Sequence, residues 1–98
     1  MLDTHAQNIF DKNINMMVPY YIMAAYAYYK DDDPIFSDAF FDNMSKIMLD
    51  EWMNIYHYHK DLITIEDLKG GTYLGKYPSI VRGALKNLRG VQNERPVN

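Results

Sequence analysis

The sequence predicts an all-α fold, a small helical domain centred on a helical hairpin. Apolar residues recur at helical spacing, and Pro34 and Ser37 mark a turn between two of the helical stretches. The 98 residues are 48% hydrophobic, which suits one domain with a single modest core. We therefore expect one helical domain over residues 1–90, followed by a flexible tail over residues 91–98.

The helices up to the end of the hairpin are predicted from their caps and apolar stripes. Residues 3–15 form an N-terminal helix. The first arm of the hairpin covers residues 17–30, where Pro19 fits an early helical position because an N–H there has no helical partner. The second arm covers residues 37–58 with apolar side chains at helical spacing, so we expect Trp52 to be largely buried.

The chain after the hairpin is predicted to form a short helical turn and a last helix. Thr64 caps the turn, and the glycines from Gly70 onward close it. At most a two-residue bridge is expected within residues 73–77. The last helix covers residues 79–89 and stops at Gly90; its basic side chains indicate a solvated face, with an anion-binding strip as the alternative. The expected buried face is Ile80, Val81, Ala84, Leu85 and Leu88, and the expected solvated face is Arg82, Lys86 and Arg89.

Composition limits the classes of protein to which the chain can belong. The sequence has no cysteine, which excludes disulfides and thiolate metal sites, and no apolar run approaches the ~20 residues that span a bilayer. Residues 1–15 are polar and do not resemble a signal peptide, so we expect a cytoplasmic location. Residues 1–60 hold nine acidic side chains against four lysines, which argues against nonspecific nucleic-acid binding.

The turn of the hairpin carries the clearest functional pattern. Pro34 disfavours helical dihedrals at the residue before it, and Ser37 can cap the second arm through its hydroxyl. Asp38 and Asp42 are four residues apart, so both carboxylates lie on one helical face. Tyrosines of the first arm can fold back over that face. The sequence therefore predicts a small acidic and aromatic pocket at the elbow of the hairpin.

The same stretch resembles a known family. Residues 26–42 follow the pattern Y-x-Y-Y-x-x-D-x-P-x-x-S-D-A-x-F-D, which is similar to the signature of the small N-terminal helical domain of bacterial NAD-dependent DNA ligases. The resemblance covers roughly residues 16–63 and does not extend to the C-terminal third. In those ligases the domain binds the nicotinamide mononucleotide half of NAD with tyrosine, histidine and aspartate side chains. The resemblance thus implies a ligand-binding site at the elbow.

The resemblance assigns ligand-binding residues position by position. Tyr28, Asp38 and Asp42 match functional residues of the family. Tyr29 stands where the family has histidine, and Phe41 stands where it has tyrosine. Phe41 can still stack on a pyridinium ring although it lacks the hydroxyl, whereas Tyr29 supplies no imidazole chemistry. The ligand-binding residues implied by the resemblance are therefore Tyr28, Asp38, Phe41 and Asp42.

Two classes of function remain open, and neither is enzymatic. The chain is too short to hold a ligase's nucleotidyltransferase domain, and no Cys–His pair is available for nucleophilic catalysis. The first class is a non-catalytic accessory module that binds a protein partner, as in small tailed-phage proteins that the chain resembles; a phage protein would act in the host cytoplasm. Phe36 could anchor such a partner and Asp32 could steer it. The alternative is a binding module for nicotinamide mononucleotide or NAD, the one possible cofactor.

No metal site is expected. The run Asp31–Asp33 lacks the glycine at the sixth position and the glutamate at the twelfth that a calcium loop requires. His57 and His59 are two residues apart and would need a distant partner such as His5 to hold zinc. We therefore interpret Asp31–Asp33 as a solvated acidic turn. The histidines are interpreted as surface or helix-terminal residues.

Overall fold

Helices account for all the regular secondary structure in residues 1–93, the part of the chain that the structure describes. The computed structural model has no strand there and no bridge between Tyr73 and Tyr77, which confirms the all-α prediction. None of the helices in this part is long and apolar enough to cross a bilayer. The α-helices are α1 (Asp3–Lys12), α2 (Met17–Tyr29), α3 (Asp38–Asp50), α4 (Ile65–Gly70) and α5 (Ile80–Asn93), with 3₁₀ turns at Ile14–Met16, Trp52–Asn54 and Lys60–Leu62.

Helix α2 lies at the centre of the fold. Nine of its 13 residues are buried, as expected for a helix with aromatic and apolar side chains around its circumference. It contacts both α3 and α5, while α4 contacts α3. Burying one large apolar side chain contributes about 1.5–3 kcal/mol, so the burial of α2 is the main reason that the other helices assemble around it.

The N-terminal helix ends three residues earlier than predicted. It stops at Lys12 because the backbone at Asn13 is extended, with φ of −156° and ψ of 99°. The side chain of Asn13 accepts a hydrogen bond of 3.1 Å from the backbone N–H of Asn15 and so caps the following 3₁₀ turn. Asparagine side chains that bond to the nearby backbone in this way compete with helix formation.

The predicted cap of the second arm is confirmed, and it also joins α1 to the hairpin. The Ser37 hydroxyl accepts a hydrogen bond of 3.2 Å from the Phe40 N–H. Ser37 donates from its N–H and its hydroxyl to the Asp3 carboxylate, at 3.0 and 2.7 Å. The Leu2 N–H donates to the Ile35 carbonyl at 2.7 Å. These bonds fix the elbow of the hairpin against the start of the chain.

The second arm is shorter than predicted: α3 ends at Asp50 and does not reach residue 58. In a continued helix the Trp52 carbonyl would accept from the Tyr56 N–H. Here the Lys60 ammonium donates to that carbonyl at 2.7 Å, and the Tyr56 N–H donates to the Asn15 side chain at 2.8 Å. Because side chains distant in sequence take both groups, the chain leaves the helix here.

The early end of α3 also changes which side chains of the predicted stripe are buried. Ile55 is fully buried, but Tyr56 is 71% exposed. Trp52 is partly buried and packs against the edge of the core, which agrees in part with the prediction of a largely buried tryptophan. Its ring lies beneath the Lys60 ammonium, 4.9 Å from the nitrogen. The periodicity rule assigned these residues to one helical face, and it does not apply beyond Asp50.

The short turn after the hairpin forms as predicted. The Thr64 hydroxyl accepts from the Asp67 N–H at 3.0 Å, and the Asp67 carboxylate accepts from the Thr64 N–H at 3.0 Å, a reciprocal capping box. Gly71 ends α4 in the left-handed conformation with φ of 64°, which a residue with a Cβ rarely adopts. This cap brings the chain back toward α3.

The last helix differs from its prediction in its end and in its buried face. It continues through Gly90 to Asn93, so the predicted stop at Gly90 was wrong; residues 94–98, most of the predicted tail, lie outside the described part. Ile80 is 67% exposed instead of buried, while Val81, Leu85 and Leu88 form the buried face as expected. A single glycine inside a helix costs about 1 kcal/mol, too little to end a helix that the strongly amphipathic sequence of α5 favours.

Candidate functional site

A cavity of about 250 Å³ lies at the elbow of the hairpin, where the sequence predicts a pocket. Its walls come from the end of α2, the loop that follows, the first turns of α3 and the end of α4. Aromatic and acidic side chains share the lining with small residues and backbone. The lining includes Ala24, Ala25, Tyr28, Tyr29, Asp38, Phe41, Asp42, Gly70 and Gly71.

The four residues that the resemblance assigns to ligand binding all line this cavity. Tyr28 lies in the last turn of α2, and the other three, Asp38, Phe41 and Asp42, lie in the first two turns of α3. Tyr28 is 55% exposed, and its ring meets that of Tyr29 edge-on at a centroid distance of 5.0 Å. The geometry therefore brings these side chains together around one space that opens to solvent.

The two carboxylates that line the cavity, those of Asp38 and Asp42, are not held in strong ion pairs within residues 1–93. Asp42 pairs with Lys46 at 3.0 Å, but both side chains are more than 60% exposed, and exposed pairs of this kind contribute only about 0.3–0.5 kcal/mol. Asp38 makes no ion pair with another residue of the described part. It lies in the first turn of α3, where the helix dipole favours a negative charge. A cation in the cavity would therefore meet two carboxylates without having to break a strong ion pair.

The aromatic side of the cavity is anchored to the core. Phe41 is half-buried and stacks on Tyr21, with ring centroids 4.8 Å apart and planes 25° apart. Tyr21 is fully buried and donates from its hydroxyl to the Thr72 carbonyl at 2.6 Å, with the Asp67 carbonyl 3.2 Å away. Burial raises the pKa of Tyr21 to about 12, so it stays a donor at neutral pH. The aromatic wall is therefore rigid and tied to the end of α4.

The sequence did not predict the part that two glycines play in lining the cavity. Gly70 and Gly71 were interpreted only as turn residues, yet both line it. A Cβ at Gly71 would lie 3.8 Å from the Asp42 carboxylate and 4.0 Å from the hydroxyl of buried Ser45, so the absence of a side chain leaves the space beside Asp42 open. Two adjacent glycines at the end of a short capped helix indicate a turn in the sequence. Only the tertiary fold shows that Gly71 lies beside Asp42.

Of the two residues predicted to bind a partner, one is unavailable. Phe36 is only 4% exposed and packs among the rings of Tyr20 and Phe40, with centroid distances of 6.5 and 4.9 Å. It belongs to the core, so its assignment as an exposed anchor was wrong. Asp32 is exposed at the corner of the elbow and has a positive φ of 50°, a conformation that aspartate tolerates better than most residues.

Arg89 of α5 binds the acidic run Asp31–Asp33. The Arg89 guanidinium donates to the Asp31 carboxylate at 2.7 Å and to the Asp33 carbonyl at 2.7 Å. This contact corrects the prediction that Arg89 lies on a solvated face of α5. Because Arg89 neutralises part of the acidic run, Asp32 is the member of the run that stays free of an ion pair with the described residues.

The three histidines lie elsewhere. His5, His57 and His59 all border a second, larger groove that shares no lining residue with the elbow cavity. The rings of His57 and His59 are 5.7 Å apart. Within residues 1–93, no group of three or more histidine, aspartate or glutamate side chains is arranged to hold a metal ion.

Comparisons of the chain with protein-family models, with curated proteins and with solved structures found no match.

Proposed function

We propose that the chain is a non-catalytic binding module whose elbow cavity takes a cationic aromatic ring, of which nicotinamide mononucleotide is the ligand that the sequence resemblance names. One observation carries the proposal. Tyr28 and the α3 residues Asp38, Phe41 and Asp42 line the same cavity although they belong to different helices. Sequence spacing alone did not require the α2 tyrosine to meet the α3 carboxylates.

The chemistry of the lining suits a pyridinium ring. A cation over an aromatic face gains about 0.5–2 kcal/mol, depending on how far it is desolvated. Tyr28 offers an exposed ring, and the ring of Phe41 is held in place by Tyr21. Asp38 and Asp42 add negative charge at the same wall, and their oxygens can accept hydrogen bonds from ribose hydroxyls. The loss of the family's histidine at Tyr29 removes one polar contact and leaves the charge complementarity intact.

The size of the cavity favours a mononucleotide over a dinucleotide. At about 250 Å³ it is slightly smaller than the ~300–1,000 Å³ of sites that enclose drug-sized ligands. A nicotinamide ring with its ribose can occupy such a space with the phosphate at the mouth. The adenosine half of NAD would have to lie outside the cavity, so we expect the whole dinucleotide to bind no more tightly than nicotinamide mononucleotide.

Calorimetric titration with nicotinamide mononucleotide at millimolar concentration tests the proposal. We expect saturable binding, and we expect Asp42→Asn to weaken it by up to about fivefold, since an exposed charge pair contributes up to about 1 kcal/mol. Asp50→Asn is the matched control, because Asp50 is an exposed residue of α3 that does not line the cavity. Reduced nicotinamide mononucleotide, whose ring carries no charge, should bind more weakly than the oxidised form.

A flat titration of the wild type would contradict the ligand proposal. Equal binding of the oxidised and reduced mononucleotides would contradict its cation–π basis. Circular dichroism of each variant checks that the helices persist, so that weakened binding can be attributed to the lost carboxylate.

A protein-binding role is the second candidate, favoured by the exposure of the rings at the mouth of the cavity. Tyr28 is 55% exposed and Tyr29 45% exposed, and exposed Asp32 follows them in the same elbow, three to four residues along the chain. Tyrosine is a common anchor at interfaces, and acidic neighbours steer basic partners. The resemblance to phage accessory proteins supports the same role. The burial of Phe36 moves the proposed anchor to the tyrosines.

Pull-down from extracts of the cell that expresses the chain tests this candidate. We expect the double change Tyr28→Ser with Asp32→Asn to abolish recovery of the partner while the helical spectrum is kept. Asparagine is chosen at position 32 because it tolerates the positive φ of that residue. Tyr58→Ser with Asp61→Asn removes a tyrosine that is more exposed than Tyr28, together with an exposed acid, away from the elbow and should leave recovery unchanged. Retained recovery with the elbow variant would place the partner on another surface.

A further inference from the structure

A second groove, of about 580 Å³, lies between α1, α2, α5 and the segment around residues 57–59. Its volume falls within the ~300–1,000 Å³ of sites that hold small organic ligands. The surface is mostly apolar and comes from helices that are well packed elsewhere. The apolar lining includes Met16, Ile22, Met23, Val81, Ala84 and Leu88.

The polar groups at this groove include every histidine of the chain. All three histidines of the chain, His5, His57 and His59, line it together with the amide of Asn87. Among the described residues that line it, none is acidic and the only other titratable side chain is Tyr20. Three imidazoles from two separate parts of the sequence therefore face an otherwise apolar space without a carboxylate to pair with.

The hydrogen bonding of His57 determines what it can offer a ligand. Its Nδ1 accepts a hydrogen bond of 3.0 Å from the backbone N–H of His59, so the proton of the neutral ring is on Nε2. Burial, together with the neighbouring His59, lowers the pKa of His57, which keeps the ring neutral at pH 7. The ring thus presents an N–H donor and has no acceptor left. A ligand group that meets it must be a hydrogen-bond acceptor.

We propose that this groove binds a small amphipathic monocarboxylic acid, whose aliphatic or aromatic body lies along α5 and whose carboxylate accepts hydrogen bonds from the histidines and Asn87. The apolar lining supplies the affinity, since each buried methylene contributes about 0.8 kcal/mol. The Nε2–H of His57, which can only donate, supplies the selection, and the rings of His5 and His59 and the amide of Asn87 can each direct an N–H toward the same group. A carboxylate offers these donors four lone-pair positions and an alcohol only two, while a cation makes no hydrogen bond to His57. The site is independent of the elbow cavity because the two share no residue.

Octanoate and octanol are the probes that test the proposal, because they share a chain length and differ in the carboxylate. Titration of the full chain, followed by the histidine ring signals in NMR, should give saturable binding of octanoate at least about fivefold tighter than that of octanol. His5→Phe and His57→Phe keep an apolar ring and remove the donor. Each should weaken the binding of octanoate more than that of octanol, so that the ratio of the two affinities falls toward one.

Ala84→Trp is the blocking variant, because Ala84 lines the groove and is half-buried, so a large side chain can fill the space. It should abolish binding of both probes, whereas Asp42→Asn in the elbow cavity should change neither. The inference is overturned if wild type binds neither probe, binds both equally, or binds octanoate as tightly after Ala84→Trp. His5→Phe guards against a folding artefact at position 57, since His5 does not accept the His59 N–H.

Discussion

Replacing Phe36 with alanine is expected to lower the free energy of unfolding by about 3–5 kcal/mol, the range for removal of a buried aromatic ring. Phe36 is 4% exposed and packs against Tyr20 and Phe40. It also lies one residue before the Ser37 cap, so the loss would loosen the start of α3. Urea denaturation followed by circular dichroism at 222 nm measures the effect.

Tyr28→Ala is the matched control for Phe36→Ala. It removes an aromatic ring from the same elbow, but Tyr28 is 55% exposed, so the free energy of unfolding should change by no more than about 0.5 kcal/mol. If the two variants unfold at the same urea concentration, Phe36 does not belong to the core, and its original interpretation as an exposed anchor would be restored.

Tyr21→Ala is the second change with a large expected effect, again about 3–5 kcal/mol. Tyr21→Phe separates the hydroxyl from the ring. It leaves the part-buried Thr72 carbonyl without this donor, which costs no more than the ~1–3 kcal/mol of a fully buried unsatisfied group. Both variants should also weaken nicotinamide mononucleotide binding, because Tyr21 supports Phe41 and holds the end of α4 beside the cavity.

Thermal unfolding and amide hydrogen exchange measure these effects. Exchange should accelerate most in residues 67–72, since the Tyr21 hydroxyl contacts the carbonyls of Asp67 and Thr72. Tyr58→Phe is the control for loss of a hydroxyl, because Tyr58 is 90% exposed. A Tyr21→Phe variant as stable as wild type would show that the bond to Thr72 does not hold the chain after α4.

The starts of α3 and α4 could be predicted from the sequence, because their caps depend on residues close together in the chain. The Ser37 cap and the capping box at Thr64 both formed, because each uses side chains within three residues of the backbone that they satisfy. The end of α3 could not be predicted in this way. It depends on Asn15 and Lys60, which are 41 and 8 residues from the groups that they bind. No periodicity rule includes such distant donors and acceptors.

The candidate site shows the same division. The four-residue spacing of Asp38 and Asp42 placed both on one face of α3, and both line the cavity. Phe36 lies in a loop, where no helical period indicates the direction of its side chain, so its burial could only come from the structure. The approach of Gly71 to Asp42 likewise depends on how α4 packs on α3.

NMR titration of the ¹⁵N-labelled chain with nicotinamide mononucleotide tests most directly whether the elbow cavity is the binding site. Gly70, Gly71, Tyr28 and Phe41 all line it. We predict saturable shifts at these four residues, with the His57 signals of the second groove unchanged. No shift at millimolar ligand, or shifts confined to residues outside the elbow, would contradict the assignment.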